Sequence, residues 1–346
     1  MNFSKLKENL LDIAINEVVL MAAKAKANRF RNLFIILGII GPGLITANAD
    51  NDASGIATYA TVGAMFGYKM LWGLFLITIS LAIIQEMAAR MGVVTGKGLS
   101  DLIRENFGVK MTFFAMIILI IANLTTTIGE FAGIAASLEI FGIPKYLSVP
   151  VSAILIWFTI TKGSYKKAER FFLALSLVYI TYIISGFLAK PDWHEVFKNT
   201  FIPSFSFKSD FVLIFIAMIG TTITPWMQFY LQSSVVDKGI DIKHLKYERL
   251  DVFVGSFITD FVAFFIVVAT AATLNKHGIL IDTAKDAALA LEPLAGKYAS
   301  ILFAVGLFGA SLLGAHILPL STAYAVTEAF GFENGLSKKI KEAPIF

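Results

Sequence analysis

The sequence has no cysteine, which excludes a disulfide framework and any thiolate metal site. Charge is scarce as well. Asp, Glu, Lys and Arg make up 16% of the 346 residues against 57% hydrophobic, and the mean hydropathy is +0.74, far from the composition of a soluble globular domain. No stretch reads as a linker between soluble domains, the longest polar intervals lying near 190–208 and 275–297. An uninterrupted signal-peptide core is missing too, because Lys5, Lys7, Asp12, Glu17, Lys24 and Lys26 punctuate the first 28 residues. Hydrolase, kinase and dinucleotide signatures are absent. The glycines from Gly92 to Gly98 lack the strand-turn-helix context of a phosphate loop, so an enzyme is not expected.

What remains is apolar sequence in long blocks. Stretches able to cross a hydrocarbon core of about 30 Å fall near 31–66, 69–91, 110–140, 146–161, 168–189, 209–236, 250–274 and 298–329. These predict an all-α polytopic membrane protein with eight spans, since the ten-residue alternation of a membrane barrel is lacking. With a cytoplasmic N-terminus, all but Lys69, Lys145, Lys190, Lys198, Lys208, Lys276, Lys285 and Lys297 of the 29 basic residues fall on the inner side. That bias predicts a multi-pass protein of the cytoplasmic membrane with both termini of this chain inside. The basic residues are dispersed over short loops, which argues against a nucleic-acid partner. Residues 1–29 read as an amphipathic segment on the inner leaflet, residues 30–346 as one membrane domain, and 282–296 as a short interfacial helix.

Two spans are interrupted by polar residues. The first carries Asn48, Asp50, Asn51, Asp52 and Ser54, although one charged side chain at the bilayer centre costs about 2.5 to over 10 kcal/mol. The sixth carries Thr221, Thr222, Thr224 and Pro225, and the missing amide proton of Pro225 predicts unwinding near Thr221. Unwound backbone at membrane depth must line a cavity or be buried in protein. A pair of such helices at corresponding repeat positions points to a secondary-transporter binding site. Asp52 is the first candidate ligand, in a hard-oxygen site suited to magnesium, manganese or calcium. Asn48, Asp50 and Asn51 coordinate or hold waters in this reading, or merely cap helix ends. Thr221 and Thr224 supply oxygens, and Trp226 walls one side of the cavity.

Other ionisable residues within spans are Glu130, Asp260 and His316. Glu130 is either a proton-linked carboxylate or a hydrogen-bonded packing group. His316 has no carboxylate in its own span and reads as a packing residue. Gln228 and Asp260 join Glu130 and Trp226 as residues behind the ligands or in a proton relay.

Several motifs resemble those of the Nramp divalent-metal transporters, from about residue 30 onward. They are Gly41-Pro42-Gly43 before the acid Asp52, Gly67-Tyr68-Lys69-Met70-Leu71-Trp72, Ala88-Ala89-Arg90-Met91-Gly92-Val93-Val94-Thr95-Gly96-Lys97, Lys166 to Arg170, and Glu328-Ala329-Phe330-Gly331. The resemblance implies the leucine-transporter-type fold, with paired inverted repeats, broken spans 1 and 6, and alternating access. It also implies two or more further helices beyond Phe346, so that the second repeat is expected to be incomplete here.

The departures from the family pattern bear on selectivity. The family's Asp-Pro-Gly-Asn becomes Asp52-Ala53-Ser54-Gly55, and its Met-Pro-His becomes Thr224-Pro225-Trp226. A register anchored on Tyr230-Leu231-Gln232-Ser233 puts Met227 at the histidine instead. The third-span acid pair becomes Thr127 and Glu130. These changes resemble the prokaryotic magnesium-transporting branch, and loss of the thioether removes a preference for soft ions. The expectation is therefore an uncoupled transporter of Mg²⁺ and Mn²⁺, with metal as cargo, no cofactor, the bilayer as surroundings and a plausible monomer. The metal set is Asp52, Asn51, Thr221 and Thr224. The alternatives are a proton-coupled Mn²⁺/Fe²⁺ symporter with Glu130 as relay, a Na⁺-linked solute symporter of the same fold, and a non-transporting receptor or scaffold.

Overall fold

The computed structural model describes residues 41–161, 165–281, 283–339 and 341–346. The expected amphipathic segment 1–29, and residues 31–40 of the first expected span, lie outside them. Every regular element among the described residues is helical. The first helices are α1 (Pro42–Ala49), α2 (Ala53–Phe66), α3 (Leu71–Thr95), α4 (Leu99–Ile140), α5 (Lys145–Thr161) and α6 (Tyr165–Ser176). A 3₁₀ turn, Leu177–Tyr179, leads into α7 (Ile180–Leu188), then α8 (Trp193–Phe201), α9 (Ser209–Thr222) and α10 (Pro225–Lys238). The last three are α11 (Leu245–Thr273), α12 (Ala284–Ala295) and α13 (Lys297–Phe330).

Among the described residues six stretches are long and apolar enough to cross a membrane: Leu71–Thr95, Leu99–Ile140, Tyr165–Leu188, Ser209–Lys238, Ile242–His277 and Lys297–Phe330. Eight were expected. The difference is α5, apolar but only 17 residues long, and the first expected span, whose described part from residue 41 forms two short helices on either side of Asp50-Asn51-Asp52. The second interruption also differs from expectation. Helix α9 continues through Thr221 and Thr222, and the chain leaves helical geometry at Ile223 and Thr224. The reason is local: Pro225 sits at the first position of α10, where a missing N–H costs nothing, and the residue before a proline is held extended. Thr224 accordingly has φ −81° and ψ 143°.

The expected helix over 282–296 is present as α12. Its start is fixed by a reciprocal cap between Thr283 and Asp286, and Ala287, Ala288 and Leu291 are fully buried. Helix α13 forms the centre of the bundle, packed along α4 and against α10 and α12. Helix α11 packs on α1, α2 and α3. The α1–α11 crossing depends on two glycines. A Cβ on Gly43 would lie 2.8 Å from the Val252 backbone, and one on Gly255 would lie 2.9 Å from the Gly43 carbonyl oxygen. The same crossing caps α1 from outside, because Asp251 Oδ2 accepts from the N–H groups of Gly41 (3.1 Å) and Gly43 (2.8 Å). By contrast α4 leaves large side chains such as Phe113, Phe114, Ile121 and Ile128 more than half exposed, a surface that suits lipid rather than water.

Candidate metal site

The two interruptions meet. Thr224, in the gap between α9 and α10, donates from Oγ1 to Asp50 Oδ1 across 2.9 Å. Just below, the hydroxyls of Tyr59 on α2 and Thr222 on α9 are 2.7 Å apart, and a Cβ on Gly55 would lie 3.5 Å from Thr221 Oγ1. The first turn of α2 thus faces the last turn of α9, and the acidic gap faces the proline gap. Asp50, Asn51, Asp52 and Glu130 are all at most 2% exposed.

Each carboxyl at the gap is held differently. Asp52 is the N-cap of α2: its Oδ1 accepts from Gly55 N (2.7 Å) and Ser54 Oγ (2.7 Å), as a capping aspartate does. Glu130, from α4, accepts from Ala53 N at 3.2 Å through Oε2, and its carboxyl adjoins that of Asp52. Asp50 lies within electrostatic reach of both Asp52 and Asp260. Two carboxyls in contact can share a proton or a cation, but not two bare negative charges. Around the same gap Asn48 Oδ1 and Glu130 Oε1 are buried without a hydrogen-bond partner. These acceptors match the oxygen chemistry of a hard cation.

The remaining sequence-derived residues are placed as follows. Asn51 turns its amide away from the gap, donating to the Thr259 carbonyl (2.8 Å) and hydroxyl (2.7 Å) on α11, which leaves its Oδ1 as the oxygen still free to serve a ligand. With its amide oriented to donate, Gln228 turns back on its own helix start, reaching the carbonyls of Thr224 (2.7 Å) and Pro225 (2.9 Å). Trp226 is buried beside the gap, and its carbonyl accepts from Ser321 Oγ at 3.1 Å. His316 bonds the Leu312 carbonyl (2.6 Å) and the Thr159 hydroxyl (2.8 Å). Among the described residues no group of three or more His, Asp or Glu is arranged to hold a metal, so any site here combines one or two carboxylates with hydroxyl, amide and backbone oxygens.

Three supporting residues went unnoticed in the sequence. Thr259 donates to the Ala47 carbonyl at 2.6 Å while accepting from Asn51, Tyr179 donates to the Asn51 carbonyl at 3.3 Å, and Tyr59 pairs with Thr222. Only Tyr59 had a local signal, seven residues after Asp52 and hence on the same face of α2.

The Nramp family model, natural resistance-associated macrophage protein-like, matches residues 43–345. The chain belongs to the Nramp family. Among its relatives is the divalent metal cation transporter MntH of Caldanaerobacter subterraneus subsp. tengcongensis, 28% identical over 309 residues that cover 83% of this chain and 73% of the relative. The protein of the same name from Bacillus subtilis is 28% identical over 311 residues, covering 87% and 72%. The manganese transporter of Eremococcus coleocola, solved in complex with an aromatic bis-isothiourea substituted compound, superimposes with a TM-score of 0.73 at 22% identity, over 87% of this chain and 67% of that one. The fold is therefore that of an Nramp transporter. Nramp proteins move metal rather than transform it, so this chain is a transporter and not an enzyme, and metal is its cargo rather than a cofactor.

Against the Nramp pattern, one replacement acquires a structural meaning. The family's Asp-Pro step is Asp52-Ala53 here, and the Ala53 N–H is the group that Glu130 accepts from. A proline has no such proton.

Proposed function

We propose that this Nramp chain carries divalent cations, Mn²⁺ and Mg²⁺, across the cytoplasmic membrane by alternating access through the gap between α1–α2 and α9–α10. The ion keeps part of its water shell, as magnesium usually does. Asp52 and Asp50 supply charge; Thr224, Thr221, Asn51 and backbone carbonyls supply the remaining oxygens. The observation that carries this reading is the hydrogen bond joining the two interruptions, Thr224 to Asp50, beside the facing carboxyls of Asp52 and Glu130. It is supported by the names of the relatives, divalent metal cation and manganese transporters. The finer fold expectation belongs to this proposal: eight spans, with interrupted spans 1 and 6 related by an inverted repeat, in a membrane domain that begins near residue 30.

In proteoliposomes the protein should take up Mn²⁺, and Asp52→Asn or Asp50→Asn should abolish uptake while elution and thermal midpoint stay those of the parent. Uptake persisting in both variants would sink the proposal. Coupling is read in the same vesicles. The Asp52–Glu130 contact favours proton-linked transport, in which entry of metal acidifies the lumen and Glu130→Gln removes the acidification. A second reading, uncoupled entry, is favoured by His316 being committed to Leu312 and Thr159 rather than to the gap, and requires metal entry with no change in luminal pH.

A further inference from the structure

Away from the gap, α3, α7, α8 and α11 enclose a cavity of about 530 Å³, within the range of small-molecule sites. Its walls are rings. Phe261 meets Phe265 edge-on with centroids 5.0 Å apart, Phe187 lies 5.1 Å from Phe265, and Trp193 lies 5.3 Å from Phe187. At the mouth Phe75, Phe197 and Phe261 are 42%, 56% and 52% exposed, so the cavity opens to the surface of the helices. One carboxyl lines it: Asp260, 3% exposed, with neither oxygen hydrogen-bonded. The Thr78 hydroxyl stands beside it, but donates its proton to the Leu74 carbonyl at 2.9 Å.

We propose that this cavity binds an amphipathic organic monocation, an aromatic or arylalkyl ammonium, whose charged head pairs with Asp260 and whose apolar body lies among the rings. A buried carboxylate is costly unless it takes up a proton or meets a positive partner, and a cationic head in this cavity is such a partner. Ring faces add attraction for a positive head within about 6 Å of a centroid. A hydrated metal ion does not fit these walls, because rings offer none of the oxygens that Mn²⁺ or Mg²⁺ requires. A lipid acyl chain would fill the space but has no use for the acid. The site is independent of the metal reading, although Asp50 at the gap lies within the field of Asp260.

Equilibrium binding of radiolabelled 4-phenylbutylammonium and of the neutral 4-phenylbutanol should be measured on the full chain in nanodiscs, with empty nanodiscs subtracted. The cation should bind about tenfold more tightly than the alcohol, and Asp260→Asn should erase that preference while leaving alcohol binding in place. Equal binding of cation and alcohol to the parent would mark a neutral lipid seat and overturn the proposal, as would an undiminished preference in Asp260→Asn. If Asp260→Asn does not fold, Phe261→Ala on the exposed rim carries the test. It should weaken cation binding several-fold, and unchanged binding refutes the site.

Discussion

At the scale of single residues, the gap in the first span holds two aspartates with different work to do. Asp52 is tied to the start of α2 by Ser54 and Gly55, while Asp50 reaches across to Thr224. A charged pair within an apolar run is conspicuous in sequence, and so both acids were legible as functional. Which of them faces the second gap was not. In the non-helical turn between Ala49 and Ala53, neighbouring side chains diverge by angles that no periodicity encodes. Ala53 offers a sharper test. Its N–H is the donor to Glu130 Oε2, and because it occupies the first position of α2, proline there keeps the helix start and deletes only that proton. Ala53→Pro should leave a buried carboxyl short of its donor at a cost of about 1–3 kcal/mol, seen as a lowered thermal midpoint, with slower Mn²⁺ uptake in proteoliposomes. Ala53→Gly, which keeps the N–H, should cost no more than about 1 kcal/mol and retain transport. A proline variant as stable as the parent would show that Glu130 does not depend on this bond.

At the scale of elements, helix existence was largely readable and helix junctions were not. The apolar blocks became helices, and Pro225 announced an interruption, but the break falls at Ile223 and Thr224 because proline constrains the residue before it and is tolerated at a helix start. Contacts between elements distant in sequence were out of reach. Asn51 bonds Thr259, and Gly43 nests against Val252 and Gly255, pairings that join residues more than 200 positions apart. The α1–α11 crossing has no room for a side chain, so Gly255→Ala should push α1 away from α11. The expected cost is about 1–3 kcal/mol, the range for overpacking, read as a lower thermal midpoint in detergent, together with loss of transport because α1 leads directly into Asp50. Gly129→Ala on α4 is the control. A Cβ there meets nothing within 4 Å, and replacing a helical glycine should be neutral or stabilising by up to about 1 kcal/mol. Equal tolerance at both positions would contradict the crossing.

At the scale of the whole molecule, the expected orientation rests on the uneven distribution of lysine and arginine along the chain. The lack of cysteine, which first excluded disulfides, now makes that orientation measurable, since any thiol introduced is the only one present. Lys243, before α11, and Lys339, after α13, are exposed and belong to the expected inner side; Lys145, at the start of α5, and Lys276, after α11, are exposed and belong to the outer side. Lys243 and Lys276 flank the same long helix, so they must label from opposite faces if α11 crosses once. In intact cells a membrane-impermeant maleimide should modify Lys145→Cys and Lys276→Cys, and should reach Lys243→Cys and Lys339→Cys only after permeabilisation. The reverse pattern would place the N-terminus outside. Labelling of Lys243→Cys and Lys276→Cys from the same face would mean that α11, which holds the gap through the Asn51–Thr259 contact, does not cross the bilayer.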